Sequence, residues 1–221
     1  MQPSLWDSRI SMPTSYLMVG KPLYGIYAYK WAGLNENGDP QVYDAENNVT
    51  SGPARDYHAL VYCGTTVPIH NASLTNVLRY KGLEFSAMLI LDAGHKLRSS
   101  NIPSINMSNG RITSTAKGIV DRWTQPGDVT DVPRLLFSND TENFNTHRTE
   151  LYRYSDLFVY DASNIRLSNI SLAYRVPAHW CKKISLSGAR LQFNVENVAT
   201  FAFDSKANYD LGGKVKPNYV W

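Results

Sequence analysis

The residue types that could do chemistry in this chain are scattered rather than grouped. Five histidines (His58, His70, His95, His147, His179) show no HExxH, HxH or Cys/His spacing, and without such spacing a metal site is not expected. Cys63 and Cys181 lie far apart outside any CxxC pattern and read as two unrelated free thiols. No GxSxG elbow, phosphate-binding loop or GxGxxG turn occurs. Paired carboxylates for glycoside hydrolysis are set by the fold rather than by spacing, and no pair is nominated here. No residue is nominated here as catalytic, metal-binding or cofactor-binding.

Two clusters invite a binding role. Asn35-Glu36-Asn37-Gly38-Asp39 is oxygen-rich like a calcium loop, but it lacks the distal Glu that completes an EF-hand. A plain turn is the better reading, because Asn, Asp and Gly are turn formers in their own right. Arg122-Trp123 could clamp or stack on a ligand. It is the one substrate-binding candidate in the loops, set against a structural role for Trp123 as a loop anchor.

Composition narrows the classes. The net charge is +3 and no run of Lys or Arg occurs, so a phosphate-tracking surface for nucleic acid is not expected. Tyrosine alone accounts for 14 residues; it suits strands and membrane-interface belts, where ring and hydroxyl prefer different solvents. The longest apolar run, Ala87–Leu91, is far short of the roughly 20 residues a membrane helix needs. A β-barrel is untouched by that test, since alternation keeps mean hydropathy low (−0.33 here). The opening MQPSLWDSRISMP has no basic start and apolar core; for an exported protein this suggests a segment of a longer chain.

The elements that must position any site are strands. LYGIYAYKW (about Leu23–Trp31) reads as a first strand with Leu23, Tyr27, Tyr29 and Trp31 on one face, and Tyr57–Tyr62 as a short one. Ser73–Tyr80 and Leu83–Leu91 form a hairpin over Lys81-Gly82, where Gly supplies positive φ. Arg98–Leu157 shows no sustained period of two and reads as a long loop, of the kind that marks a functional region. The longest alternation is Asn164–Phe201, two strands around a short turn at about Ala178–Lys183. Arg190, Gln192, Asn194 and Glu196 alternate there with Leu191, Phe193 and Val195, as a wall between lipid and water requires. Both arms change apolar parity, which places β-bulges near Ser168-Asn169 and Gly188-Ala189.

Five blocks resemble the SusC/RagA-type TonB-dependent outer-membrane transporters, in family order. Gly20-Lys21-Pro22-Leu23-Tyr24-Gly25 with Trp31-Ala32-Gly33-Leu34 and Gly38-Asp39-Pro40 is similar to G-x-P-L-G … G-x-D … G-D-P. Tyr80-Lys81-Gly82-Leu83-Glu84-Phe85-Ser86 resembles Y-K-G-F-x-L-S, and Asp121-Arg122-Trp123-Thr124 with Pro133-Arg134 resembles D-R-W-T … P-R. Ile165 to Tyr174 with Pro177 resembles Y-L-R-L-K-N-V-T-L-G-Y-T-L-P, and Glu196-Asn197-Val198-Ala199-Thr200-Phe201 resembles Q-N-L-F-T-F. Ile165 and Val198-Ala199 depart from the pattern.

The resemblance implies an all-β fold of antiparallel up-and-down strands, residues 1–221 being the C-terminal part of a large transmembrane barrel. The closing strand would be truncated, the plug domain missing and the long loops gathered at one end. It implies import of oligosaccharides or peptides across the outer membrane of a Gram-negative, Bacteroidetes-like cell. The partners would be a SusD-like surface lipoprotein, the TonB complex through a missing N-terminal part, and outer-membrane lipid. Short turns would then face the periplasm, Glu36–His70, Arg98–Leu157 and Asp204–Asn218 the outside, and Arg190, Gln192, Asn194 and Glu196 the lumen. The rival class is a secreted all-β carbohydrate-binding module, in which Leu191, Phe193 and Val195 would pack on a second sheet.

Overall fold

The computed structural model describes residues 19–52, 57–108, 111–112, 117–137, 146–207 and 218–220. In chain order the strands are β1 (Gly25–Tyr29), β2 (Trp31–Leu34), β3 (Pro40–Tyr43), β4 (Val49–Thr50), β5 (Leu60–Thr65), β6 (His70–Tyr80), β7 (Leu83–Ala93) and β8 (Lys96–Arg98). They continue as β9 (Asn106–Ser108), β10 (Arg111–Ile112), β11 (Leu136–Phe137), β12 (Val159–Asp161), β13 (Asn164–Arg175), β14 (Arg190–Ala202) and β15 (Asn218–Val220). Two short helices interrupt them, α1 (Thr146–Arg153) and α2 (Ala178–Lys183). The all-β expectation holds. The chain forms two compact units, Met1–Thr66 with Lys96–Val159, and Val67–His95 with Tyr160–Trp221.

The second unit is one antiparallel sheet in the order β15-β14-β13-β7-β6. β6 and β15 are its two edges, so it does not close on itself among the described residues. The hairpin turn is as expected: Tyr80 pairs with Leu83, and Lys81 and Gly82 carry φ of 46° and 86°, the twin positive values that match the strand twist. β13 slips register between Leu167 and Asn169 against both neighbours, which bears out the bulge placed at Ser168-Asn169. The second bulge is not at Gly188-Ala189. β14 begins only at Arg190; Ile184 and Leu186 belong to the turn after α2, where Leu186 N–H bonds the Cys181 carbonyl at 3.0 Å. The matching irregularity lies in β14 itself, where Leu167 pairs with Ala199 but Asn169 with Glu196, and Asn197 between them has φ of 54°. The connection expected to be a short turn runs instead over Val176–Ala189 and contains α2.

The first unit holds the apolar core. Tyr27, Tyr29, Val42, Ala59, Leu60 and Leu151 form one buried cluster, and Ile105, Tyr152 and Phe158 another. β1 pairs with β5 and is buried on both faces from Ile26 to Tyr29, so its side chains do not alternate between core and water. The expected nine-residue strand is broken at Lys30, and Leu23 is exposed.

Arg98–Leu157 is not structureless. It contributes β9 flanked by β10 and β11, a 3-10 turn at Lys117–Asp121, and α1. Buried Ile105, Leu136, Leu151 and Tyr152 hold it in place. Order there comes from tertiary packing rather than from an amphipathic pattern.

Candidate functional site

The polar face of the five-stranded sheet is assembled row by row across the strands. Arg79, Glu84, Ala173 and Gln192 are mutual register partners, as are Val77, Ser86, Ser171 and Asn194, then Thr75, Met88, Asn169 and Glu196. Arg175 faces Arg190 at the turn end. Glu84 joins this row to its neighbour, accepting from Arg79 Nε at 2.7 Å and from Arg190 Nη2 at 3.3 Å. Gln192 donates to Ser171 Oγ at 3.3 Å and to Asn194 Oδ1 at 3.0 Å. All four sequence-selected residues of β14 therefore lie on one face.

The other face is apolar in nearly every row from Tyr80 to Ala72, with Asn76 its polar member in the row of Ala87, Ile170 and Val195. Tyr80, Leu83, Tyr174 and Leu191 share a row; Leu78, Phe85, Leu172 and Phe193 share the next; Leu74, Leu89, Leu167 and Ala199 lie beyond the bulge, and then Ala72, Leu91, Ile165 and Phe201. Leu191 is 68% exposed and Phe201 61%. Residues of this size in contiguous rows are ordinarily covered, and no second sheet covers them among the described residues. That removes the arrangement on which the sandwich alternative depends.

Arg122 and Trp123 follow the 3-10 turn in the first unit, and Trp123 is largely committed to packing. A Cβ on Gly38 would fall 2.4 Å from the Trp123 ring, so the indole lies directly on the turn that Gly38 makes at φ 74°. Arg122 Nη1 donates to the Ile119 carbonyl of its own loop at 3.4 Å. The oxygen-rich cluster beneath is a turn, with Asn35 Oδ1 accepting from the N–H groups of Asn37 and Asp39, both at 2.9 Å. Among the described residues no group of His, Cys, Asp and Glu is placed to hold a metal ion. Both cysteines are free.

Sequence reasoning missed what Asp39 does. Its carboxylate takes Arg134 in a two-point pair, Nε at 3.1 Å and Nη2 at 2.8 Å, and also Arg148 Nε at 3.1 Å. Arg148 is 2% exposed, and it spends its remaining donors on the Ile105 carbonyl, Asn106 Oδ1 and the Arg134 carbonyl. Burial pushes the Arg148 pKa down and neighbouring Asp39 pushes it back up. A buried guanidinium is tolerable only when its donors are satisfied in this way. Pro40 and Pro133 beside the network are fully buried. Three motif pieces far apart in sequence, Gly38-Asp39-Pro40, Trp123 and Pro133-Arg134, thus meet in one packed node.

Comparison with known proteins agrees with this architecture. No family model matches the chain. TonB-dependent receptor P3 of Formosa agariphila is 25% identical over 212 residues, spanning 89% of this chain and 20% of that protein. TonB-dependent receptor P26 of the same organism is 28% identical over 130 residues, 59% of this chain and 12% of that one. The chain thus spans a fifth or less of the length of these curated relatives. In fold it is similar to the RagAB peptide importer in its open-open state, with a TM-score of 0.60 and 17% identity over 86% of this chain and 21% of that one. A second RagAB peptide transporter structure gives a TM-score of 0.60 and 19% identity over 81% and 19%. Ordered motifs, relatives in sequence and likeness in fold converge: the chain is similar in sequence to part of two TonB-dependent receptors and shares the fold of the corresponding part of the RagAB transporter.

Proposed function

We propose that the five-stranded sheet is a stretch of barrel wall in an outer-membrane transporter, with Leu191, Phe193 and Val195 toward lipid and Arg190, Gln192, Asn194 and Glu196 toward the lumen. The observation that carries the reading is the two-faced sheet. Its four long strands have 11, 11, 12 and 13 residues, enough for the roughly 9–11 residues that a tilted strand needs to cross a bilayer. The Lys81-Gly82 turn and the α2 connection lie at one end of the sheet, where Arg175 N–H bonds the Gly82 carbonyl at 2.8 Å; short connections mark the periplasmic rim of such barrels.

The whole receptor would be a carrier rather than an enzyme, sited in the outer membrane and drawing energy through TonB. The likeness to a peptide importer favours peptides as cargo, with oligosaccharides as the second class, delivered with a SusD-like lipoprotein. Residues 1–221 would form one barrel portion, and Arg122 would be the loop candidate for cargo contact.

The test is uptake. Cells lacking the gene for the intact receptor are compared with complemented cells for import of labelled oligopeptides and oligosaccharides. Loss of one class on deletion is the expected result. Unchanged uptake of both, with no cargo bound by the purified receptor, would reject the transporter reading.

A further inference from the structure

At the tight-turn end of the polar face is a cleft of about 300 Å³, lined by Arg79, Lys81, Glu84, Arg175 and Arg190 together with the backbone of the hairpin turn. Four cationic side chains surround one carboxylate, a local excess of three positive charges. Glu84 uses one oxygen on Arg79 and the other on Arg190, so it fixes two guanidinium groups without neutralising the rest. Lys81 Nζ rests on the Tyr80 ring at 5.2 Å.

The opposition of Arg175 and Arg190 is the unusual feature. They are direct cross-strand partners, and like charges in that position repel. Arg190 leans to Glu84, whereas the Arg175 guanidinium has no side-chain hydrogen bond among the described residues. The hairpin turn packs closely on the end of β13: Arg175 N–H bonds the Gly82 carbonyl at 2.8 Å, and a Cβ on Gly82 would meet the Arg175 carbonyl oxygen at 3.0 Å. A concave site with one sign of charge concentrates its field on the opposite sign.

We propose that this cleft is an oxyanion site that takes one carboxylate or phosphate group between the Arg175 and Arg190 guanidiniums. Planar guanidinium forks match two oxygens of such a group, and the bound anion would relieve the repulsion that the register imposes. The site follows from the geometry of this sheet alone and does not depend on what the receptor transports.

The anion has two possible sources, a free solute or an acidic side chain elsewhere in the intact receptor, and one pair of measurements separates them. The intact receptor in detergent and its R175Q variant are titrated with inorganic phosphate by calorimetry in low-salt buffer, and their melting midpoints are compared. R175Q removes a side chain that makes no hydrogen bond here, so folding is retained, and R166Q on the same face serves as a control. For a free solute, phosphate binds saturably, R175Q weakens it at least tenfold, R166Q leaves it unchanged, and the R175Q midpoint without phosphate is equal or higher. For an internal carboxylate, phosphate is silent and R175Q lowers the midpoint by an amount that added sodium chloride abolishes. Equal phosphate affinity in the two proteins overturns the proposal, as does absence of binding together with an unchanged or raised R175Q midpoint.

Discussion

Asp39 and Arg134 are 95 positions apart and meet in a two-point ion pair at 3.1 and 2.8 Å. The pair ties the β2–β3 turn to the segment before β11, and Arg148 of α1 closes the triangle on the same carboxylate. Removing the carboxylate leaves Arg148 buried with an unanswered charge, and such losses cost about 3–5 kcal/mol. D39A is therefore expected to destabilise this unit by about 3 kcal/mol, because Asp39 keeps some solvent contact, whereas D39N retains an acceptor and costs less. Native-state hydrogen exchange at the α1 amides of the intact receptor checks this. Unchanged protection in D39A would show that the network contributes no stability.

The neighbouring Gly38 supplies a second prediction. Alanine there must adopt φ 74° and place its Cβ 2.4 Å from the Trp123 ring. Gly33 has φ 97° with nothing within 4 Å, so G33A bears only the left-handed strain of about 1–2 kcal/mol. G38A adds the cost of displacing an indole, about 1–3 kcal/mol for overpacking. The expected order is G38A well below G33A in stability, with a fluorine label on Trp123 shifting in G38A alone. Equal stabilities would mean that Trp123 moves aside freely.

Much of the sheet was legible in sequence, and the errors have identifiable causes. The Ser168 slip shows because one extra residue reverses apolar parity: Leu167 and Ile170 face the same way. The compensating irregularity in β14 is silent because two residues, Asn197 and Val198, are inserted between Glu196 and Ala199, and an even insertion preserves parity. Ile184 and Leu186 imitated a strand by chance spacing in the turn that follows α2. In α1 the buried stripe is Arg148, Leu151 and Tyr152, a proper i, i+3, i+4 set that hydropathy cannot detect because its first member is an arginine. The Asp39 node was visible only as separate motif blocks, since no local pattern shows that a turn Asp and a loop Arg will meet.

The facing of β14 can be tested by charge placement in the intact receptor. Phe193 pairs with Leu172 on the apolar face and Asn194 with Ser171 on the polar face. F193K should cost about 2–4 kcal/mol if it falls near the bilayer midplane, whereas N194K should cost little because lumen positions stay solvated. Equilibrium folding into lipid vesicles measures both. Equal penalties would mean that the lipid and lumen faces have been assigned wrongly.

The last prediction concerns acid. The Asp128 carboxylate accepts from Thr124 N–H at 2.8 Å, Thr124 Oγ1 at 2.7 Å and Gln125 N–H at 3.0 Å. These bonds favour its charged form, and the Thr124 hydroxyl leads in holding its pKa below the ordinary aspartate value. A carboxyl whose pKa is lower folded than unfolded stabilises its turn above the unfolded value, about 3.9, and that stabilisation fades as pH falls through the lower folded value. The loop after Trp123 should therefore keep its shape down to pH about 4 and loosen below it, with the Thr124 and Gln125 amide signals shifting together. In D128N the same signals should sit near their acid positions at every pH. A wild-type transition above the ordinary aspartate range would assign the wrong sign to the Asp128 interaction.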